Sequence, residues 1–373
     1  MKEILVTSPI LPDFEEFTES LREIWSTSRL TNNGPFLQRF ESALADYLGV
    51  PYVSVMTNGT LPIILSLKAL GITEGEVITT PYTFVATPAA VSWSGLTPVF
   101  ADVEYSTGNL DAQAVEAAIT PRTRAILGVH VYGVPCCDEA LRRVARAHGL
   151  PIIYDAAHAF GVRENGKSIL LNGDLSTLSF HATKVFNTIE GGAVVCKTKE
   201  MKQRLDALRN FGSTGETTFS EAGINAKLDE VRAAYGLLNL RKVDVAIQER
   251  RAISRQYSEA LKSVAGIRLM EIPEGLDYNF SHYPIYIEES YSHPALAPFA
   301  QAGKNKRDQV YDYLMAHDIH PRRYFYPLPF HAGKIAAAPC ENAKKISSQV
   351  LCLPIYPGLP AEILKKITSL LVS

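Results

Sequence analysis

Three short segments of this chain carry groups that could act together on one small molecule. Lys184 lies in SFHATKVFNTIEGGAVV, an apolar, aromatic and glycine-lined stretch between two β-rich runs. Such surroundings lower an amine's pKa, freeing it to form an imine with an aldehyde and to carry protons between carbon atoms. Asp155 directly follows the apolar run Pro151 to Tyr154, at a strand's carboxyl end, where open α/β sheets place their ligands. A carboxylate there could keep a heterocyclic nitrogen protonated and turn its ring into an electron sink. Asn58-Gly59-Thr60 falls between a strand and a helix. Gly59 permits close backbone approach, Thr60 could cap the helix, and Pro62 needs no intrahelical donor, so free amides could receive a phosphate.

Each segment has a plainer reading: a capped turn at 58–60, a helix N-cap at Asp155, a solvated lysine at 184. Their order favours the chemical one. Strand-Gly-Thr-helix, strand-Asp and strand-Ser-x-x-x-x-Lys follow one another within a single α/β pattern, and amine, carboxylate and phosphate cradle are what pyridoxal phosphate chemistry needs.

The elements that must position these groups read as an α/β fold. Strands are predicted at Tyr52 to Met56, Thr97 to Ala101, Ala125 to His130, Pro151 to Tyr154, Leu175 to Phe180 and Ala193 to Cys196. Helices alternate with them at Leu61 to Leu70, at Asp138 to His148 with Gly149 as C-cap, and at Lys199 to Arg209. That alternation implies a mostly parallel sheet flanked by helices. A long helical stretch from Leu228 to about Lys262, with a break, leads to a smaller α+β part holding a strand at Tyr283 to Glu288 and helices at Lys306 to His317 and Ala361 to Leu371. The expected division is a large domain over 1–245, including an N-terminal helical segment, and a small domain over 246–373.

Several function classes fall away. GVRENGKS (Gly161 to Ser168) matches a phosphate loop letter for letter, yet Asn165-Gly166 between extended flanks, with Asn172-Gly173 soon after, marks a hairpin turn and leaves no room for the required helix. No G-x-G-x-x-G follows an early strand, which removes the main support for a dinucleotide dehydrogenase. With 37 basic and 39 acidic side chains over 373 residues, net charge −2, nothing suggests a nucleic-acid or membrane surface. The nine histidines lack metal-ligand spacing, so no metal is expected. Five cysteines without a regular framework suggest a reducing, cytoplasmic compartment, and Met1 to Ile10 does not read as a secretory leader.

YDAAHAFG (Tyr154 to Gly161) followed by GDLSTLSFHATKVFNTIEGGAVV (Gly173 to Val195) resembles the DegT/DnrJ/EryC1 family of pyridoxal-phosphate sugar aminotransferases, which have fold type I, and the likeness runs along essentially the whole chain. The resemblance implies pyridoxal 5'-phosphate as cofactor, Lys184 as the lysine that holds it, Asp155 at the pyridine nitrogen and His158 at the ring oxygen side. It implies Ser179, Thr60, the Leu61 amide and the Gly59 turn at the phosphate, and Phe84 of PYTFVAT stacked on the ring. Asn225 in GINAKLDEVRAA resembles a segment reaching a neighbouring subunit's phosphate, which implies a homodimer with shared sites; its plainer reading is a cap for the helix near Leu228.

The same resemblance implies L-glutamate as amino donor and a nucleotide-linked keto sugar as acceptor. Sugar and nucleotide contacts are expected from LTNNGP (Leu30 to Pro35), with Asn33, from His181 and from YFYPLPFH (Tyr324 to His331), with Tyr326. SPILPDFEEF, LTNNGP and SFHATKVFNTIEGG are most similar to the branch that aminates carbon 4 of dTDP-4-keto-6-deoxyglucose for O-antigen or related glycans. The alternatives are amination of a 3-keto sugar and a non-catalytic regulatory protein that binds the cofactor.

Overall fold

The computed structural model describes residues 3–335 and 339–372. Its centre is an eight-stranded sheet in the order Lys334–Ile335, Thr97–Phe100, Glu76–Thr79, Thr123–Val129, Ile152–Asp155, Leu175–Ser179, Gly192–Cys196, Tyr52–Met56. Neighbours are parallel except around Gly192–Cys196, which is antiparallel to both strands beside it.

The central strands are rich in buried apolar residues on both faces because helices cover both. Ile78, Ile126, Ile152 and Tyr154 pack under the helices Ala112–Ala118 and Asp138–His148. The alternate residues Val77, Ala125, Leu127 and Ile153 pack under the helices Thr60–Ala69 and Ala86–Trp93. Helix Asp138–His148 keeps the predicted bounds, buries Leu141, Val144 and Ala145, and ends on Gly149 in the left-handed region at φ 63°. The Gly161 to Ser168 motif is a hairpin, Arg163–Glu164 against Lys167–Ser168, turned by Asn165 (φ 49°) and Gly166 (φ 76°).

The predicted long helical stretch is two helices, Glu230–Leu240 and Val243–Leu261. The second carries the chain between two cores: Val243 packs with the large-sheet helices, while Ile253, Tyr257 and Leu261 pack with Ile285, Val310, Leu351 and Ile367. Around that second core lies an antiparallel sheet of Ile267–Leu269, Tyr283–Ile287 and Val350–Leu353.

The two parts exchange short strands that sequence reading missed. Ile4–Leu5 pairs with Ile319–His320, Lys334–Ile335 extends the large sheet beside Thr97–Phe100, and Leu276–Asp277 pairs with Arg163–Glu164. Two-residue strands carry no periodicity to detect. No helix among the described residues is long and apolar enough to cross a membrane.

Candidate active site

The strand ends converge on one cavity of about 390 Å³. Strand Ile152–Asp155 ends on Asp155, strand Leu175–Ser179 ends on Ser179, and strand Thr123–Val129 ends on Val129, and all three residues line it. Lys184 reaches the same cavity from a loop after Ser179, anchored by its own amide on the His181 carbonyl at 2.9 Å and by buried Val185 and Phe186.

Asp155 is buried, and burial pushes its carboxyl above the usual carboxylate range. Three groups pull the other way: the Thr87 hydroxyl, which donates to Oδ2 at 2.8 Å, the Ala157 amide, which donates to Oδ1 at 3.1 Å, and the charge of Lys184. Asp155 lines the cavity and its side chain also caps the turn behind it, where no helix starts. Burial lowers the Lys184 amine to about 8, with Asp155 opposing. His158 Nδ1 accepts the Tyr132 amide at 3.2 Å, and burial above all holds its imidazolium far below the ordinary histidine range. A neutral ring with Nδ1 so occupied carries its proton on Nε2.

The 58–60 turn departs from expectation in one respect. Thr60 does not cap the helix that starts at it; the Asn58 side chain does, with Oδ1 accepting the Thr60 amide at 2.9 Å and the Leu61 amide at 3.0 Å. The amides read as free are thus occupied, and of that segment Asn58, Gly59 and Thr60 line the cavity while Leu61 does not. Gly59 is demanded by contact, because a Cβ there would lie 2.7 Å from Ser179 Cβ. Gly192 serves the same junction, as a Cβ there would lie 2.2 Å from the Asn58 carbonyl.

Phe84 is not a core residue: it is 58% exposed and lines the cavity. His181 also lines it, with Nδ1 accepting the Thr183 amide at 3.2 Å and Nε2 3.7 Å from Glu190 Oε1. Asn33, Asn225 and Tyr326 lie outside the cavity of the single chain. Asn33 is exposed at φ 58° beside a separate surface hollow, and Tyr326 lies under the guanidiniums of Arg307 and Arg323. Asn225 sits in an exposed loop bridged to Asn210 and caps nothing, since Asp229 caps the helix Glu230–Leu240.

Tyr324 and Phe325, at the start of the YFYPLPFH segment, also line the cavity, as do Thr7, Thr83, Thr87 and His282, which were not singled out from the sequence. Thr87 had a local signal, three residues beyond Phe84 at helical spacing. Thr83 adjoins Phe84 in the same segment, whereas Thr7 and His282 arrive from distant segments.

The profile of the DegT/DnrJ/EryC1/StrS aminotransferase family matches residues 13–372. The chain belongs to this family. It is a pyridoxal-phosphate-dependent sugar aminotransferase, and the cavity fits that cofactor: a partly buried amine lowered toward neutrality, a buried carboxyl, hydroxyls at a glycine turn and an exposed aromatic face. Among relatives of this aminotransferase, the dTDP-4-amino-4,6-dideoxy-D-glucose transaminase of Shigella dysenteriae is 45% identical over 373 residues, 99% of this chain and 98% of the relative. The Escherichia coli protein of the same name is 42% identical over 379 residues, 100% and 98% of the two chains. In the crystal structure of DesI in the presence of its TDP-sugar product, the matching chain superposes with a TM-score of 0.91 at 35% identity, covering 100% of this chain and 92% of that one.

Proposed function

We propose that this aminotransferase moves an amino group from L-glutamate to a nucleotide-linked 4-keto-6-deoxy sugar, converting dTDP-4-keto-6-deoxyglucose to dTDP-4-amino-4,6-dideoxyglucose. The observation that carries this reading is the end-to-end likeness to two transaminases named for that product.

When bound, the cofactor supplies an electron-poor ring that stabilises the negative charge left as a C–H proton departs. Lys184 would hold the cofactor and carry that proton, since an amine near 8 occupies both protonation states close to neutral pH. Asp155 would face the ring nitrogen and keep it protonated, and His158 would lie at the ring oxygen side with Nε2–H to offer. Phe84 supplies a face for stacking. The Thr60 and Ser179 hydroxyls at the Gly59 turn would receive the phosphate, and the Thr60 and Leu61 amides, held by Asn58 Oδ1 in this structure, would join them only if that side chain gave them up.

His181, Asn33 and Tyr326 contact the sugar or its nucleotide, and Asn225 serves the phosphate of a second copy in a homodimer. The exposed, uncapped position of Asn225 supports that role. We place the domain boundary near residue 245, the compartment in the cytoplasm and the product in O-antigen or lipopolysaccharide assembly. The test is mass spectrometry and NMR of the product formed from dTDP-4-keto-6-deoxyglucose and glutamate, with the 3-keto isomer as comparator. An amine at carbon 4 is expected; amination of the 3-keto sugar alone overturns the reading.

A further inference from the structure

Two of the imidazoles that line the cavity, those of His158 and His282, are held in opposite hydrogen-bonding states through the backbone of one residue, Tyr132. Tyr132 sits in the left-handed region (φ 54°, ψ 7°) and is fully buried, with its hydroxyl bonded to that of Tyr82 at 2.6 Å. Its amide donates to His158 Nδ1 at 3.2 Å. Its carbonyl accepts the Tyr278 hydroxyl at 2.8 Å and the Ser281 hydroxyl as well.

Donor counting then fixes both rings. A backbone N–H only donates, so His158 Nδ1 is bare. A carbonyl only accepts, so the single proton of Ser281 Oγ is used on Tyr132. Ser281 Oγ therefore meets His282 Nδ1, at 3.1 Å, as an acceptor. His282 carries its proton on Nδ1, and burial keeps the ring neutral. Its Nε2 is bare and has no hydrogen-bond partner among the described residues.

The His282 ring lies 4.5 Å from that of His158, centre to centre, and lines both the main cavity and an adjoining recess shared by Lys184, His158, Thr183 and Ser281. Lys184 is close enough for its charge to oppose protonation of His282. The turn carrying His282 is firmly seated. Asn279 Nδ2 donates to the carbonyls of His158 at 2.8 Å and Phe160 at 3.0 Å, and buried Arg250 donates to the Ile355 carbonyl at 2.9 Å beneath it. Such support suits a ring whose direction matters.

We propose that His282, supplied by the smaller part of the chain, is a positioning residue: its bare Nε2 accepts an N–H of the Lys184 amine and aims that amine, and Ser281 sets the tautomer that makes this possible. The inference rests on Lys184 being the reacting amine.

Long-range ¹⁵N NMR of histidine-labelled apoprotein near neutral pH, with the two rings assigned through His158→Gln and His282→Gln, reads the tautomers without any turnover. His158 is expected as Nε2–H and His282 as Nδ1–H, with Ser281→Ala converting His282 to a mixture. His282 found as Nε2–H or as imidazolium overturns the proposal. In the holoenzyme, Ser281→Ala and His282→Leu are expected to lower kcat of the glutamate half-reaction by about tenfold at unchanged KM. His282→Gln, whose amide oxygen can stand in for Nε2, retains most of the rate. An inactive wild type removes the proposed function, whereas an active wild type with fully active Ser281→Ala and His282→Leu removes only the role of His282.

Discussion

Thr87 donates its hydroxyl to Asp155 Oδ2 at 2.8 Å, and Thr83 Oγ1 lies 2.7 Å from Thr87 Oγ1. Because Thr87 uses its proton on the carboxylate, Thr83 must donate to Thr87. The short relay keeps a buried carboxyl ionisable against the cost of burial.

Replacing Thr87 by Val removes the relay's last donor and leaves a buried carboxylate oxygen without it. A hydrogen bond to a charged group contributes about 1.5–3 kcal/mol, so cofactor retention should fall about tenfold or more. Thr87→Ser should behave as wild type. Dialysis followed by spectroscopic quantitation of retained cofactor decides; equal retention by Thr87→Val and wild type contradicts the role given to Asp155.

Lys184→Ala should abolish turnover and covalent attachment together. Borohydride reduction and peptide mass spectrometry should find the cofactor's mass on the peptide containing Lys184 in the wild type and on no peptide in the variant. Modification at another lysine would show that the wrong amine was chosen.

The lowered Lys184 amine makes a signed prediction about pH. A folded-state value near 8 lies below the ordinary lysine value of 10.5, so between these the unfolded chain binds more protons and folding gains stability as pH rises. Relative to Lys184→Met, the apoprotein should therefore be penalised most below pH 8 and recover up to about 3 kcal/mol toward pH 10.5. Denaturant titrations of the two proteins across that range test it, and a pH-independent difference between them would falsify the lowered value.

Gly59→Ala places a methyl group 2.7 Å from Ser179 Cβ and 3.2 Å from Ser179 Cα, so backbone as well as side chain must give way. The junction of the 58–60 turn and strand Leu175–Ser179 should open, weakening cofactor binding by about tenfold while leaving the distant smaller core intact. Equilibrium titration of apoprotein with cofactor measures this. Unchanged affinity would mean that the phosphate lies elsewhere.

If Asn225 serves a neighbour's phosphate, Asn225→Asp sets a carboxylate against that anion and should be nearly inactive. Mixing it with Lys184→Ala after subunit exchange should restore about a quarter of wild-type activity, because half the dimers are then mixed and each mixed dimer has one intact site. No recovery on mixing confines Asn225 to its own chain.

Much of the site was legible because its residues lie where a short sequence window already implies a strand end. Asp155 and Ser179 end the strands Ile152–Asp155 and Leu175–Ser179, Gly59 closely follows the strand Tyr52–Met56, and the sheet brings those ends to one edge. Lys184 was legible by its distance from Ser179 and by the aromatic and glycine residues around it. The error at 58–60 came from competition between neighbours: Asn58 and Thr60 are both good caps, and the choice depends on which side chain the packed turn aims at the amides.

Local periodicity, turn chemistry and the order of strand-end residues were sufficient to determine a doubly covered parallel sheet, the hairpin at 163–168 and the amine–carboxylate pair, since each depends on interactions within a few tens of residues. The placement of Thr7 and His282 in the cavity, the burial that moves Lys184 and Asp155 off their ordinary values, and the tautomers set through Tyr132 were decided by the tertiary structure alone. They arise where segments more than a hundred residues apart exclude water from one another, and no local pattern of residues encodes that exclusion.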